Sequence, residues 1–227
     1  MVILGRRDLY GSGKAPRSWS PSLCSRRRAA FGWLAFSFGG AVSRKILIIN
    51  GHPDASAERL AAALSDAYAR GAARSGREVR RLDLGALLFP PVITGLELEG
   101  EPPEAIRQAQ DLITWCDHMV LVFPLWIGGP PALLKSFFEQ ICRYGFSFEK
   151  DSHKPLLGGR SARIIVTMII PAFVFHLMFA QGVKWLRRGV LWTSGFKPIR
   201  TLALGNVFAA DRARWLEKVE ALGAAGA

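Results

Sequence analysis

The chain is poor in the residues that usually announce a function. It has three cysteines, Cys24, Cys116 and Cys142, scattered and without a CxxC spacing. An odd, unpatterned set excludes a disulfide framework and suits small buried thiols in a reducing compartment. Its four histidines, His52, His118, His153 and His176, show no ligand spacing, so no metal site is expected. There is no GxSxG, which argues against a Ser-His-Asp hydrolase. There is no Gly-Lys-Ser ending for a Walker loop, and no triplet of spaced glycines for a dinucleotide fingerprint. No nucleic-acid motif is present. No uninterrupted apolar run is long enough to cross a bilayer comfortably. Ala29–Val42 is short, and Ile164–Ala180 contains Pro171 and His176. If catalysis occurs, a cofactor must supply its chemistry.

Half of the 227 residues are apolar, which places the chain among globular proteins. The length suits one α/β domain of about 180 residues plus an extension. The net charge of +12 is unevenly spread: residues 1–44 carry eight Lys or Arg against Asp8 alone. The milder excess in the remainder suits an anionic small molecule and calls for no nucleic-acid partner. Residues 1–43 lack strand or helix periodicity before Ala29. They are expected to be a basic, disordered extension or the product of a start codon placed too far upstream. Arg26-Arg27-Arg28 followed by an apolar run keeps a targeting segment as the alternative. Residues 44–227 are expected to form the folded domain.

From Lys45 onward the pattern alternates. Short apolar runs at 45–50, 78–84, 118–123, 162–168 and 199–204 read as strands. Helical spacing appears at 58–74, 103–117, 131–143 and 210–223, and an apolar helical stretch is expected up to about Leu191. Alternation of this kind demands right-handed crossovers and a parallel sheet covered on both faces. The expectation is a doubly wound five-stranded sheet of order 2-1-3-4-5 with helices on both faces. Its ligand site lies where the strand order reverses, beyond the ends of strands 1 and 3.

Two unusual loops follow those strands, Gly51–Glu58 and Pro124–Pro131. The first ends at a helix N-terminus, where backbone N–H groups and the helix dipole favour an anion. His52 and Ser56 can add donors there; alternatively Ser56, or Asp54, only caps the helix. The second sets Trp126 in a Gly- and Pro-rich backbone. Trp126 either plugs the core or forms a wall for a flat heteroaromatic ligand that also needs hydrogen bonds, such as a flavin. His118 opens a strand and reads as structural.

The segments "HPDASAERLAAAL", "VFPLWIGGPPALLKSFFEQICRYGFSF", "LLGGRSARIIVTM" and "SGFKPIRTLALGNV" resemble, in that order, the flavodoxin-like NAD(P)H:quinone reductase family over about residues 44–222. That family includes the flavin-dependent NAD(P)H oxidoreductases and flavoprotein regulators of potassium efflux systems. The resemblance implies FMN or FAD, NAD(P)H as cosubstrate, a quinone-like acceptor and a cytoplasmic homodimer with its sites at the subunit interface. Carried over by position, His52 and Ser56 would contact the flavin's phosphate or ribityl groups. Pro124, Leu125, Trp126 and Ile127 would line the ring, with backbone donors to its polar edge. Thr167 and Met168 would approach from another side. Phe146 and Phe148 would cover the neighbouring subunit's flavin. The chain departs from the family where relatives carry glycine after Thr167, for here the run is Met168-Ile169-Ile170-Pro171. It has Phe175 where a tyrosine is expected near the substrate, and His176 is the nearest replacement for its catalytic donor. The alternative function is a flavoprotein regulatory subunit that contacts a membrane transporter such as a potassium efflux system.

Overall fold

The computed structural model describes residues 45–93, 100–175, 181–208 and 212–226. The extension expected over 1–43 lies outside the described residues. Five strands form one parallel sheet: β1 (Lys45–Asn50), β2 (Glu78–Asp83), β3 (His118–Pro124), β4 (Ser161–Thr167) and β5 (Ile199–Leu204). Their spatial order is β2-β1-β3-β4-β5, as the alternation of elements predicts. The register aligns the carboxyl ends of the central strands. Asn50 lies opposite Val122, Pro124 opposite Thr167 and Thr167 opposite Leu204.

The strands bury both faces, which is why β3 reads as an unbroken apolar run. On one face Leu47, Ile49, Leu121, Phe123 and Ile164 pack under α2 (Glu104–Trp115) and α3 (Ala132–Ile141). On the other, Ile46, Ile48, Val120, Val122 and Ile165 pack under α1 (Leu60–Arg74) and α6 (Arg212–Ala225). The start of the segment between β2 and α2 is anchored by Leu84, Leu87 and Phe89, which pack on the core. Buried polar side chains of α3 and its end hold it further along. Ser136 donates to the Pro91 carbonyl, Gln140 to that of Pro90 at 3.0 Å, and Arg143 to that of Gly100 at 3.0 Å.

Several boundaries differ from the sequence expectation. Leu84 leaves the ladder and opens a 3-10 turn, Leu84–Ala86. Met168 lies just past β4, although its N–H still bonds the Leu204 carbonyl at 2.9 Å. In the helical stretch expected up to Leu191 the described residues form α4 (Ala172–Val174), α5 (Gln181–Lys184) and an eight-residue π-helical run, Trp185–Trp192.

At the amino end of the sheet lies a buried polar network. His118 shares a 3.2 Å hydrogen bond with the Tyr68 hydroxyl and one of 2.8 Å with Ser161 Oγ. Burial, reinforced by the nearby Arg163 guanidinium, pushes the His118 ring down to about 4. Burial pushes the Tyr68 phenol up to about 12. His118 is thus a satisfied core histidine at the end of the sheet away from the switch point.

Candidate functional site

The first loop is built on Asn50, the last residue of β1. Its side chain is fully buried, donates to Asp83 Oδ1 at 2.8 Å and accepts the His52 N–H at 3.2 Å. The Gly51 N–H donates to the Val122 carbonyl at 2.8 Å, so the loop leaves the sheet directly beside β3. His52 Nδ1 lies 3.0 Å from both the N–H and the carbonyl of Asp54. When Nδ1 accepts that N–H, the neutral ring carries its proton on Nε2, free to donate outward.

Asp54, not Ser56, organises the turn before the helix. Its carboxylate accepts the Ser56 N–H at 2.8 Å and pairs with Arg59 at 2.6 Å. The Ser56 N–H, then the Arg59 guanidinium, hold the Asp54 carboxyl below the usual carboxylate range. Ser56 is not the helix cap: α1 begins at Leu60, its N-cap is Arg59, and no side chain caps it. The first turn of α1 also contains no acid. Its N–H groups therefore point to the loop with no side-chain cap and no acid within the first turn, although Asp54 and Glu58 stand in the loop before it. Ser56 is exposed in front of them.

The second loop is a tight hairpin. Trp126 and Gly129 exchange two backbone hydrogen bonds, at 2.8 and 3.0 Å, around Ile127 and Gly128. Both central residues have positive φ, 47° and 76°. That is the geometry of a type I′ turn, which Asn and Gly enter easily and a β-branched residue does not. Ile169, which stands near the glycine of relatives, is not among the positive-φ residues, whereas Ile127 is. Trp126 is 48% exposed and does not plug the core. The Leu125 N–H is spent on the Thr167 carbonyl at 2.7 Å and that of Trp126 on Gly129. The donors left open for a ligand are thus the N–H groups of Ile127 and Gly128.

The two loops meet: the His52 and Trp126 rings stand edge to face, centroids 5.4 Å apart. Behind the hairpin lies α5. A Cβ on Gly182 would overlap the Gly128 carbonyl oxygen and lie 2.8 Å from its carbon. Only glycine lets the helix back the turn so closely.

Of the residues singled out in the sequence, His52 and Ser56 lie on the first loop and Pro124, Leu125, Trp126 and Ile127 on or beside the hairpin, and the contact between the two is that of His52 with Trp126. Thr167 is present through its carbonyl, but its side chain is buried. Met168 is buried among core residues, so its side chain does not face the cleft. Within one chain, Phe146 and Phe148 stand past the far end of α3, roughly 15 Å of helix away. Phe146 packs against the core, and Phe148 lies edge to face with Tyr144. His176 lies outside the described residues, and Phe175 is buried in the core. Two contributors escaped the sequence reading, Asn50 and Gly182. An Asn ending an apolar strand was a signal for the first; nothing local marks the second.

Among the described residues no three His, Cys, Asp or Glu cluster as metal ligands, and no helix is long and apolar enough to cross a membrane. The cleft offers a flat aromatic wall, two free backbone donors and an uncapped helix start. These suit a planar ligand with an anionic tail.

Comparison with known proteins agrees with this fold. The profile of a family described by its flavodoxin-like fold matches residues 44–224. An uncharacterized NAD(P)H oxidoreductase of Haemophilus influenzae is 32% identical over 110 residues, 47% of this chain and 54% of its own length. NAD(P)H dehydrogenase (quinone) 1 of Rattus norvegicus is 26% identical over 126 residues, 46% of this chain and 45% of its own. The chain spans about half the length of the curated relatives it matches. A solved Streptococcus mutans UA159 protein superposes with a TM-score of 0.69 at 26% identity, over 79% of this chain and 98% of its own. An NAD(P)H:quinone oxidoreductase from Methanothermobacter marburgensis gives 0.68 at 18%, over 80% and 96%. An FMN-dependent NADH-azoreductase of Bacillus anthracis, solved with FMN, gives 0.60 at 15%, over 80% and 96%. The last two speak to the fold alone.

Proposed function

The chain belongs to the family with the flavodoxin-like fold, matched over residues 44–224, and on that premise we propose that it is a flavin-dependent NAD(P)H oxidoreductase. The observation that carries the reading is the meeting of His52 and Trp126 at the switch point of the sheet. There a half-exposed indole, open backbone donors and an uncapped helix come together. The relatives named as NAD(P)H oxidoreductases support it, and no observation favours the transporter-subunit alternative.

The residues present fit FMN or FAD. His52, Ser56 and the first turn of α1 would hold phosphate oxygens. Pro124, Leu125 and Trp126 would cover one side of the ring system, while Ile127 and Gly128 donate N–H groups to its polar edge. The Thr167 carbonyl holds Leu125 in position for this. When bound, such a group supplies the centre that takes a hydride from NAD(P)H and hands two electrons to a quinone-like acceptor. The chain's part is to bind, orient and cover. Exposed apolar side chains at the carboxyl end of the sheet, Ile127, Ile169, Phe173 and Phe208, suit a homodimer that closes over the cleft. Phe146 and Phe148 would reach a flavin only across such an interface. A cytoplasmic setting suits the free thiols of Cys116 and Cys142.

The test uses the purified full chain. Flavin absorbance that bleaches with NADPH and returns with benzoquinone is the expected result. A colourless protein that takes up neither FMN nor FAD refutes the proposal. Trp126→Ala sharpens it. About half of the indole, roughly 100 Å² on a typical Trp burial, is open to a ligand. At ~25 cal/mol per Å² its loss weakens flavin binding by ~2.5 kcal/mol, about 50- to 100-fold. Unchanged flavin content would remove the loop from the site.

A further inference from the structure

A cavity of about 650 Å³ opens at the amino end of β5, the opposite end of the sheet from the two site loops. Its volume falls in the range of small-molecule sites. The floor is Phe196, only 1% exposed, and one wall is Trp192, 55% exposed. Around these rings stand Arg187, Arg188 and Lys197, with Lys197 Nζ over the Trp192 ring at 5.3 Å. No carboxylate lines the cavity among the described residues. Three cations and two aromatic faces thus share one concave space without a counter-charge.

The backbone produces this grouping. Arg187 and Trp192 are five residues apart in the π-helical run. In an α-helix, residues five apart point about 140° away from each other. The π-helical bond from i to i+5 instead stacks them on one face. Such segments are rare and gather at functional sites.

We propose that this cavity binds a planar aromatic ligand bearing two or more negative charges. The ring stacks on Trp192 over the Phe196 floor, and the anionic groups take Arg187, Arg188 and Lys197. A nucleotide diphosphate and a sulfonated polycyclic aromatic both have this chemistry. A two-fold contact with a second copy through the same face would set three cations against three, which disfavours self-association there. The charge is confined to one pocket and does not run along a stripe, which disfavours nucleic acid.

The full-length protein is titrated with ADP, naphthalene disulfonate, adenosine and inorganic phosphate, with heat of binding and Trp fluorescence as readouts. At least one of the first two binds saturably, and the tighter of them identifies the source of the ligand. Adenosine and phosphate bind at least tenfold more weakly than that ligand. Arg187→Ala/Arg188→Ala, both exposed and free of packing roles, weakens it at least tenfold. Trp126→Ala leaves it unchanged, which separates this site from the flavin cleft. The proposal is overturned if neither aromatic anion binds, if phosphate binds as well as they do, or if the double Arg variant binds normally. Vesicles of phosphatidylserine captured through Arg187 and Arg188, with no binding of either aromatic anion, overturn it as well.

Discussion

Two glycines of one helical run make opposite predictions for the same substitution. At Gly182 an added methyl overlaps the Gly128 carbonyl oxygen and meets the Gly129 Cα at 3.0 Å. Every obstructing atom is backbone, so no side-chain rotation relieves it. The helix and the hairpin must part by about an ångström, and overpacking of this kind costs ~1–3 kcal/mol. For a chain of this size that is a fall in Tm of roughly 3–10 °C. At Gly189 a Cβ meets nothing within 4 Å. There the methyl only reduces the freedom of the unfolded chain and stabilises by ~0.4–1 kcal/mol. Thermal melts of Gly182→Ala and Gly189→Ala therefore move in opposite directions. Gly182→Ala also displaces the N–H groups of Ile127 and Gly128. Losing one such bond to a ligand, ~1–1.5 kcal/mol, weakens flavin binding about tenfold. Calorimetry and flavin titration of the two variants read both effects. If Gly182→Ala melts at or above the parent protein, the contact between α5 and the hairpin is not what holds the turn.

His118 makes stability depend on pH. Buried and neutral with a value of about 4 against 6.5 unfolded, it binds fewer protons in the native state, so stability is full above pH 6.5 and falls as pH drops toward 4. Urea unfolding at pH 5 gives about 2 kcal/mol less than at pH 7.5, and His118→Asn flattens that difference. An unchanged slope in the variant would assign the dependence elsewhere. Arg143→Ala releases the Gly100 carbonyl from its buried guanidinium partner, and limited proteolysis then cuts the β2–α2 segment faster than in the parent; equal rates would show that Ser136 and Gln140 suffice. The Cys116 thiol, 1% exposed and pushed up to about 12 by burial, resists alkylation at pH 8 in the folded protein; labelling at the rate of the unfolded chain would contradict its placement.

The sheet was readable because its signals are local and redundant. β1 and β5 fall on the residues whose apolar runs announce them, and the order of the strands follows from alternation and handedness. The two site loops were readable because breakers stand where a core strand ends. Ser56 misled because cap preference is a statement about a helix start, and Asp54 with Arg59 sets that start elsewhere. Met168, named from the resemblance, is buried with the core residues, a placement that an exposed-site reading of the loop after β4 did not foresee. The fit of Gly182 against Gly128 had no local signature, since it depends on elements far apart in sequence.

Ile127 sits fully exposed in a turn position that Gly or Asn would occupy with less strain, a difference of ~1 kcal/mol or more. A laboratory evolution run that rewards heat resistance alone would replace it early. The same run with a flavin-dependent screen added would hold the residue if its side chain is needed by the bound state. Only if the Ile127 side chain itself serves the bound state do thermostability and use pull apart at this position; if its N–H is all that matters, Gly or Asn serves both.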